Sequence, residues 1–369
     1  MIVLRIVAFV FGFWLVQATL RSAMRTVVVP RGDQTLLTRK TFLFMAGVYR
    51  FFGKHQRTSE ARERSVARFA PTSLLVLASL WALGTIIGFI PMFWASGVHD
   101  LKESIYLSGS SITTLGIHDP IGPFESALSF AEALIGLGIV ALLISYLPTI
   151  YTLFSRREAD VVKLDVRAGS PPTALEMLTR YHRIEWIDHL DETWAVWEDW
   201  FSELEESHTS HPALVFFRSQ RPNSSWITCA GAVLDSAALS LSALDIEQSP
   251  HASVTLRAGF MCLRAVADFF QVPFDAHPDP DDPISIDRRE FDLLFDELAM
   301  AGLPMVADRD QAWTDYRGWR VNYDIPLLAL CRVANAPPTP WSSDRIEGFR
   351  GPRLGHRGWT IALTGGSSA

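Results

Sequence analysis

At 369 residues the chain has room for a membrane region and a separate folded domain. Its 49% hydrophobic content is high for a purely soluble protein, while 20% charge is high for a purely membrane one, which suggests a division of labour along the chain. Residues 1–155 carry 13 basic against 8 acidic residues and residues 156–369 carry 20 against 32, and so acidic a second half argues against nucleic-acid binding.

Taken in order, residues 6–20 hold no charge and are rich in Phe, Val, Leu and Trp, with Arg5 placed to snorkel at the start. A secretory signal peptide competes with a retained membrane helix over 1–20. The absence of an Ala-x-Ala site and the basic stretch that follows favour the retained helix. Residues 21–70 contain 11 Lys or Arg against three acids, the bias of a cytoplasmic or interfacial segment. Within it, apolar residues over 42–52 alternate with Arg39, Lys40 and Arg50, which fits either a helix lying on the inner membrane surface or a connecting helix packed on the bundle. Residues 70–99 have no charge at all, enough for a spanning helix with Pro91 and Trp94 at its far boundary. A short amphipathic helix follows over 101–112. Residues 133–155 form a second uncharged run, closed by Arg156-Arg157 as an inside anchor. Glu132 is an ionisable group in the outer part of that span. Such groups face protein or water, so it is expected to brace Ser110, Ser111 or the short helix from behind.

Between the two long apolar runs lies Ser110-Ser111-Ile112-Thr113-Thr114-Leu115-Gly116-Ile117-His118-Asp119. This string resembles the potassium channel superfamily's pore signature, Thr-Thr-Val-Gly-Tyr-Gly-Asp, as found in bacterial-type two-span pore modules. Thr113, Thr114, Gly116 and Asp119 match, Leu115 and Ile117 substitute bulky residues, and His118 stands where the family has its second glycine. The resemblance covers about residues 74–153 and implies an all-α membrane protein with a pore-loop channel over 71–155. Its parts would be an outer helix 71–95, a pore helix 101–112, a filter 113–119 and an inner helix 124–155, with an extra N-terminal membrane helix. It implies K+ ions, and no other cofactor, held by the carbonyls of Thr114, Leu115, Gly116 and Ile117 and the Thr114 hydroxyl, because stripped ions need replacement oxygens. Thr113 and His118 complete the filter, with Ser110, Asp119 and Glu132 as its support. Gly136 and Gly138 are candidate gating hinges, close helix packing being the competing reading. The implied assembly is a homotetramer in the lipid bilayer of a bacterial-type plasma membrane, N-terminus outside and C-terminal domain cytoplasmic. At His118 a left-handed backbone is expected to cost about 1 kcal/mol. A ring of imidazoles there implies weakened K+ selectivity and suppression by acid. A non-conducting sensor or scaffold that keeps the same fold is the alternative.

The second half reads as an α-helical cytoplasmic domain over 156–336 followed by a flexible tail, 337–369. Proline in its first turn suggests a helix starting near Ala168. Residues 184–206 place Trp186, Leu190, Trp194, Trp197 and Trp200 on one helical face, and 226–244 and 252–270 read as buried helices, with further helices over 288–300 and within 313–334. Cys229, Cys262 and Cys331, widely spaced, offer neither a disulfide framework nor a zinc site. His182, Glu185 and His189 lie at helical steps but lack a further ligand. Asp235-Ser236 and His208/His211 lack the Gly-x-Ser-x-Gly of a hydrolase, so no enzyme is expected.

Overall fold

The computed structural model describes residues 2–29, 36–54, 68–98, 100–219, 221 and 223–345. Among these the elements are helical, and the one exception is an isolated antiparallel bridge between Leu244 and Met305. The chain divides into two compact units, Met1–Thr152 and Leu153–Ala369.

The first unit contains α1 (Ile2–Val27), α2 (Leu36–Lys54), α3 (Phe69–Ser96), α4 (Leu101–Ile112) and most of α5 (Pro123–Ala168). α1, α3 and α5 are long and apolar enough to cross a membrane, which suggests a membrane-embedded protein. α1 runs to Val27, past the Leu20 end expected from its charges, because Arg21 and Arg25 fall outside the face that packs. That face is Gly12, Val16, Thr19, Ser22 and Ala23, one helical stripe laid antiparallel along α3. The approach is close enough that a Cβ on Gly12 would lie 2.3 Å from the Gly88 carbonyl oxygen, and one on Gly84 would lie 2.8 Å from Thr19 Oγ1. Small residues permit such backbone contact between helices in lipid, where dispersion replaces the hydrophobic drive. The Trp81 indole N–H completes the seam by donating to Ser22 Oγ at 3.2 Å.

α2 packs on this pair. Thr38 and Thr26 hydroxyls meet at 2.8 Å, Tyr49 and Thr72 hydroxyls at 2.8 Å, and the Phe69 ring receives Phe42 and Tyr49 edge-on. Phe44 and Phe51 remain exposed on its other face.

α5 continues without a break from Pro123 to Ala168, beyond the end at 155 expected from the arginine pair. Arg157 is not a membrane-surface anchor. It is buried inside the second unit, donating to the carbonyls of Leu214 at 3.0 Å and Phe217 at 2.6 Å, to Glu158 at 2.9 Å, and standing 3.2 Å from His208 Nε2. Arg156 is the exposed partner, paired with Glu203.

The second unit is built around α8 (Trp226–Ser242), in which every residue but Leu241 is buried. Its Ala, Gly, Ser and Cys positions let α6 (Ala174–Arg183), α9 (Pro250–Phe269), α11 (Arg309–Arg320) and α12 (Asp324–Ala334) pack around it. α7 (Leu190–Ser210) lies on α9, where Thr255 donates to the Trp194 carbonyl at 2.7 Å, and α10 (Arg288–Met300) opens with a capping box made by Asp287 and Glu290. The cysteines are free and buried.

Three local expectations change here. The helix expected near Ala168 starts instead at Ala174, capped by Thr173, because α5 consumes residues up to Ala168 and Gly169 turns the chain at φ 84°. The helix expected over 184–206 is interrupted: Glu185 adopts φ 56°, Ile187–His189 form a 3-10 turn, and only then does α7 begin. The tail expected to be flexible from 337 is ordered at its start. Thr339, Ser342 and Ser343 are buried, and Arg345 pairs with Glu290. Residues 346–369 lie outside the described residues.

Candidate functional site

The loop between α4 and α5 is assembled from the helix ends outward. Asp100 caps α4, its carboxylate accepting the Lys102 N–H at 3.0 Å, and Glu103 sits in the first turn where negative charge suits the helix dipole. Serines line the inward face of α4, with Ser104, Ser108, Ser110 and Ser111 all buried. At its C-terminus the Leu115 N–H donates to the Ser110 carbonyl at 3.0 Å and the Thr114 N–H to the Ser111 carbonyl at 3.0 Å. With Thr114 at φ 55°, that is the Schellman ending, here with threonine in the left-handed position that glycine usually fills.

Thr113, Thr114, Leu115, Gly116, Ile117, His118 and Asp119 follow, all exposed in the single chain. The left-handed residues are Thr114 and Gly116 (φ 66°), and not His118. The strain expected at the missing glycine therefore falls four residues earlier, at Thr114, where helix termination demands it. The Thr114 hydroxyl, expected to face an ion, donates to the Thr113 carbonyl at 2.7 Å. The His118 ring lies against Tyr106 of α4, centroids 5.2 Å apart. Ser110 Oγ accepts the Ile117 N–H at 3.0 Å and the His118 N–H at 3.3 Å, so one buried hydroxyl holds the far end of the loop to the helix.

Behind the loop, Glu132 is fully buried, and its Oε1 lies 2.5 Å from Ser108 Oγ. Of the expected partners it meets the short helix, through Ser108, and neither Ser110 nor Ser111, because residues 108 and 132 meet one helical turn below the loop. Ser111 pairs instead with Ser129, hydroxyls 2.5 Å apart. Ser108 and Ser129 were not singled out from the sequence, although Ser104, Ser108 and Ser111 recur at helical spacing on one face. Gly136 sits where α5 crosses the end of α4, and a Cβ there would lie 2.3 Å from the Ile112 carbonyl oxygen. Gly138 meets nothing within 4 Å. Close packing thus accounts for the first glycine and leaves the second free. On α5, Phe130, Leu134, Leu137 and Ile144 stand exposed at four-, three- and seven-residue steps, an apolar stripe on the surface of the single chain.

In the second unit the residues considered for chemistry have structural employment. Asp235 accepts from Arg320 at 2.6 and 2.8 Å, from Tyr323 at 2.8 Å and from Tyr316 at 3.1 Å, while Ser236 donates to the Ala232 carbonyl. His208 donates through Nδ1 to the Leu204 carbonyl at 3.0 Å, which leaves Nε2 as the acceptor facing Arg157. Burial pushes the His208 imidazole well below its ordinary value, and the Arg157 charge adds to the effect. His189 stacks on Trp186, and among the described residues no group of three or more His, Cys, Asp or Glu is placed to hold a metal ion. An open groove of about 1040 Å³ between the end of α5, α6 and α7 is floored by Tyr181, Trp197 and Trp200. Its rim charges pair with one another, as in Lys163–Asp160 and Arg180–Glu176.

No family model matches the chain, and comparison with curated proteins and with solved structures found no match to either.

Proposed function

We propose that the protein is a homotetrameric, potassium-channel-like cation channel of a bacterial-type plasma membrane and not an enzyme, with K+ as the permeant ion and no cofactor. The observation that carries this reading is the order of elements: a short serine-lined helix and an exposed Thr-Thr-Leu-Gly-Ile-His-Asp loop inserted between two membrane-length apolar helices. Irregular backbone at such a place is tolerated where it is buried in protein or lines a water-filled cavity, and the neighbouring copies of a ring would create that cavity. The uncovered stripe on α5 is the surface such neighbours or lipid would cover. Acids outnumber bases in the segment between α3 and α5, a sign that concentrates cations at a mouth. The His118 imidazoles would add positive charge there in acid and close it. By the basic bias of residues 21–70, the loop faces outside and the second unit inside.

A second reading is favoured by one specific observation. The Schellman ending directs the Thr114 and Leu115 amides back to α4, and the Thr114 hydroxyl binds its own chain, an arrangement that suits a non-conducting sensor or scaffold. Flux from liposomes loaded with K+, with reversal potentials in mixed Na+ and K+, separates the two. A channel gives cation-selective flux that acid suppresses, with suppression lost in His118→Gly. Intact tetramers that pass no ion under any gradient leave the scaffold.

A further inference from the structure

Among the described residues of the first unit, Glu132 is the one carboxyl in the interior of the apolar helices: α1 and α3 contain no acid, and on the part of α5 up to Thr152 the other acid, Glu125, lies in the first turn. Its side chain is fully buried, and Oε2 has no hydrogen-bond partner. Every element around it is silent in charge. α3 offers the Ile86 carbonyl, in reach of Ser108. α4 turns Ser104, Ser108 and Ser111 inward while Lys102, Glu103 and Tyr106 are exposed. α1 presents Val16 and its neighbours to this part of the core, and on α5 itself the flanking core residues are Leu128 and Ile135. Among the described residues no Lys, Arg or His forms an ion pair with Glu132.

A carboxylate in this setting would keep one hydrogen bond and leave its other, charged oxygen bare in apolar surroundings. A carboxylic acid leaves only one neutral carbonyl acceptor unmatched, which is far less costly. The proton also resolves a conflict at Ser108, whose single hydroxyl hydrogen has two acceptors in reach, Glu132 Oε1 at 2.5 Å and the Ile86 carbonyl at 3.4 Å. With the acid form, Glu132 donates to Ser108 Oγ and Ser108 donates to Ile86, and three helices are joined by one relay.

We propose that Glu132, Ser108 and the Ile86 carbonyl form a proton-binding site inside the membrane unit, occupied at neutral pH, which ties α3, α4 and α5 together behind the loop. The inference rests on the membrane reading of these helices and not on conduction, so its test uses no flux.

The full chain in lipid vesicles is treated at neutral pH with dicyclohexylcarbodiimide, an apolar reagent that needs a protonated carboxyl. The acid proton moves to a carbodiimide nitrogen, the carboxylate oxygen bonds to the central carbon, and an oxygen-to-nitrogen acyl shift gives an N-acylurea from which nothing leaves. Peptide mapping is expected to find one whole reagent mass on Glu132, about tenfold above Glu125. The label falls as pH is raised, is absent in Glu132→Gln and is retained in Ser108→Ala. Infrared spectra of the same vesicles are expected to show the carbonyl stretch of a neutral acid in apolar surroundings, missing in Glu132→Gln. Absence of that band in the wild-type chain, or label on Glu132 that is indifferent to pH, overturns the proposal. Should Glu132→Gln fail to fold, the wild-type band and its loss in strong alkali decide alone.

Discussion

Each unit buries an acid, and the two are treated in opposite ways. In the second unit Asp235 meets a guanidinium and two phenols, and Arg320 in turn meets Asp324 at 2.8 Å and the Trp341 carbonyl. Every charge there has a partner, so the cluster fixes α8, α11 and α12 in one arrangement. In the membrane unit Glu132 has one serine. The lesson is that burial alone does not make a carboxyl structural or functional. A full set of donors makes a permanent joint, whereas a single hydroxyl leaves a group whose state depends on a proton.

The sharpest way to break this contrast is Arg320→Met, which strands Asp235 and Asp324 without their cation. We expect a loss of about 3–5 kcal/mol in the second unit's unfolding free energy, followed by tryptophan fluorescence in denaturant. A loss below about 1 kcal/mol would mean that the joint is dispensable. In the membrane unit the corresponding fixed contact is backbone and not charge. Gly136→Ala drives a methyl toward the Ile112 carbonyl and is expected to cost about 1–3 kcal/mol, seen as a lower melting temperature in detergent, whereas Gly138→Ala is neutral within about 0.5 kcal/mol.

The next effect is pH-dependent. His208 is held neutral when folded but takes a proton when unfolded below about pH 6.5. Acid therefore favours the unfolded chain: stability is flat above that pH and falls by up to about 1.4 kcal/mol per unit below it. His208→Gln, which keeps an acceptor for Arg157, flattens the acid limb in thermal scans. It leaves any acid effect of His118 on flux untouched, which keeps the two histidines separable. The smallest effect is expected at Thr114→Gly, which removes a left-handed side chain and raises stability by about 1 kcal/mol or less in the same melts.

The three membrane-length helices were legible because length and lack of charge are properties of a stretch, and burial in lipid asks for little else. The all-helical character of the second half was legible from the recurrence of its tryptophans, with α7 starting later than its periodicity suggested because Glu185 turns left-handed. What stayed hidden depends on which partner a residue finds. Asp235 and Arg320 are 85 positions apart, and no spacing rule joins them. Ser108 and Ser110 look alike in the sequence, yet a rotation of two residues on α4 sends one to Glu132 and the other to the loop amides. Arg157 resembled a surface anchor because a pair of arginines after an apolar run usually is one. The helix carries on instead, and turns one arginine outward and the other in. At the loop, the pattern pointed to strain at His118, while the need to end α4 placed it at Thr114.

The contact of Gly12 with Gly88 has a consequence for how this protein can change. A Cβ on Gly12 would strike the Gly88 carbonyl oxygen at 2.3 Å, and that main-chain atom cannot rotate aside, so a carbon added there pries the first helix from the third. Substitutions elsewhere along that pair can be absorbed by a neighbour's movement, but these glycines hold an all-or-nothing position. Valine at 88 would release the N-terminal helix as a whole.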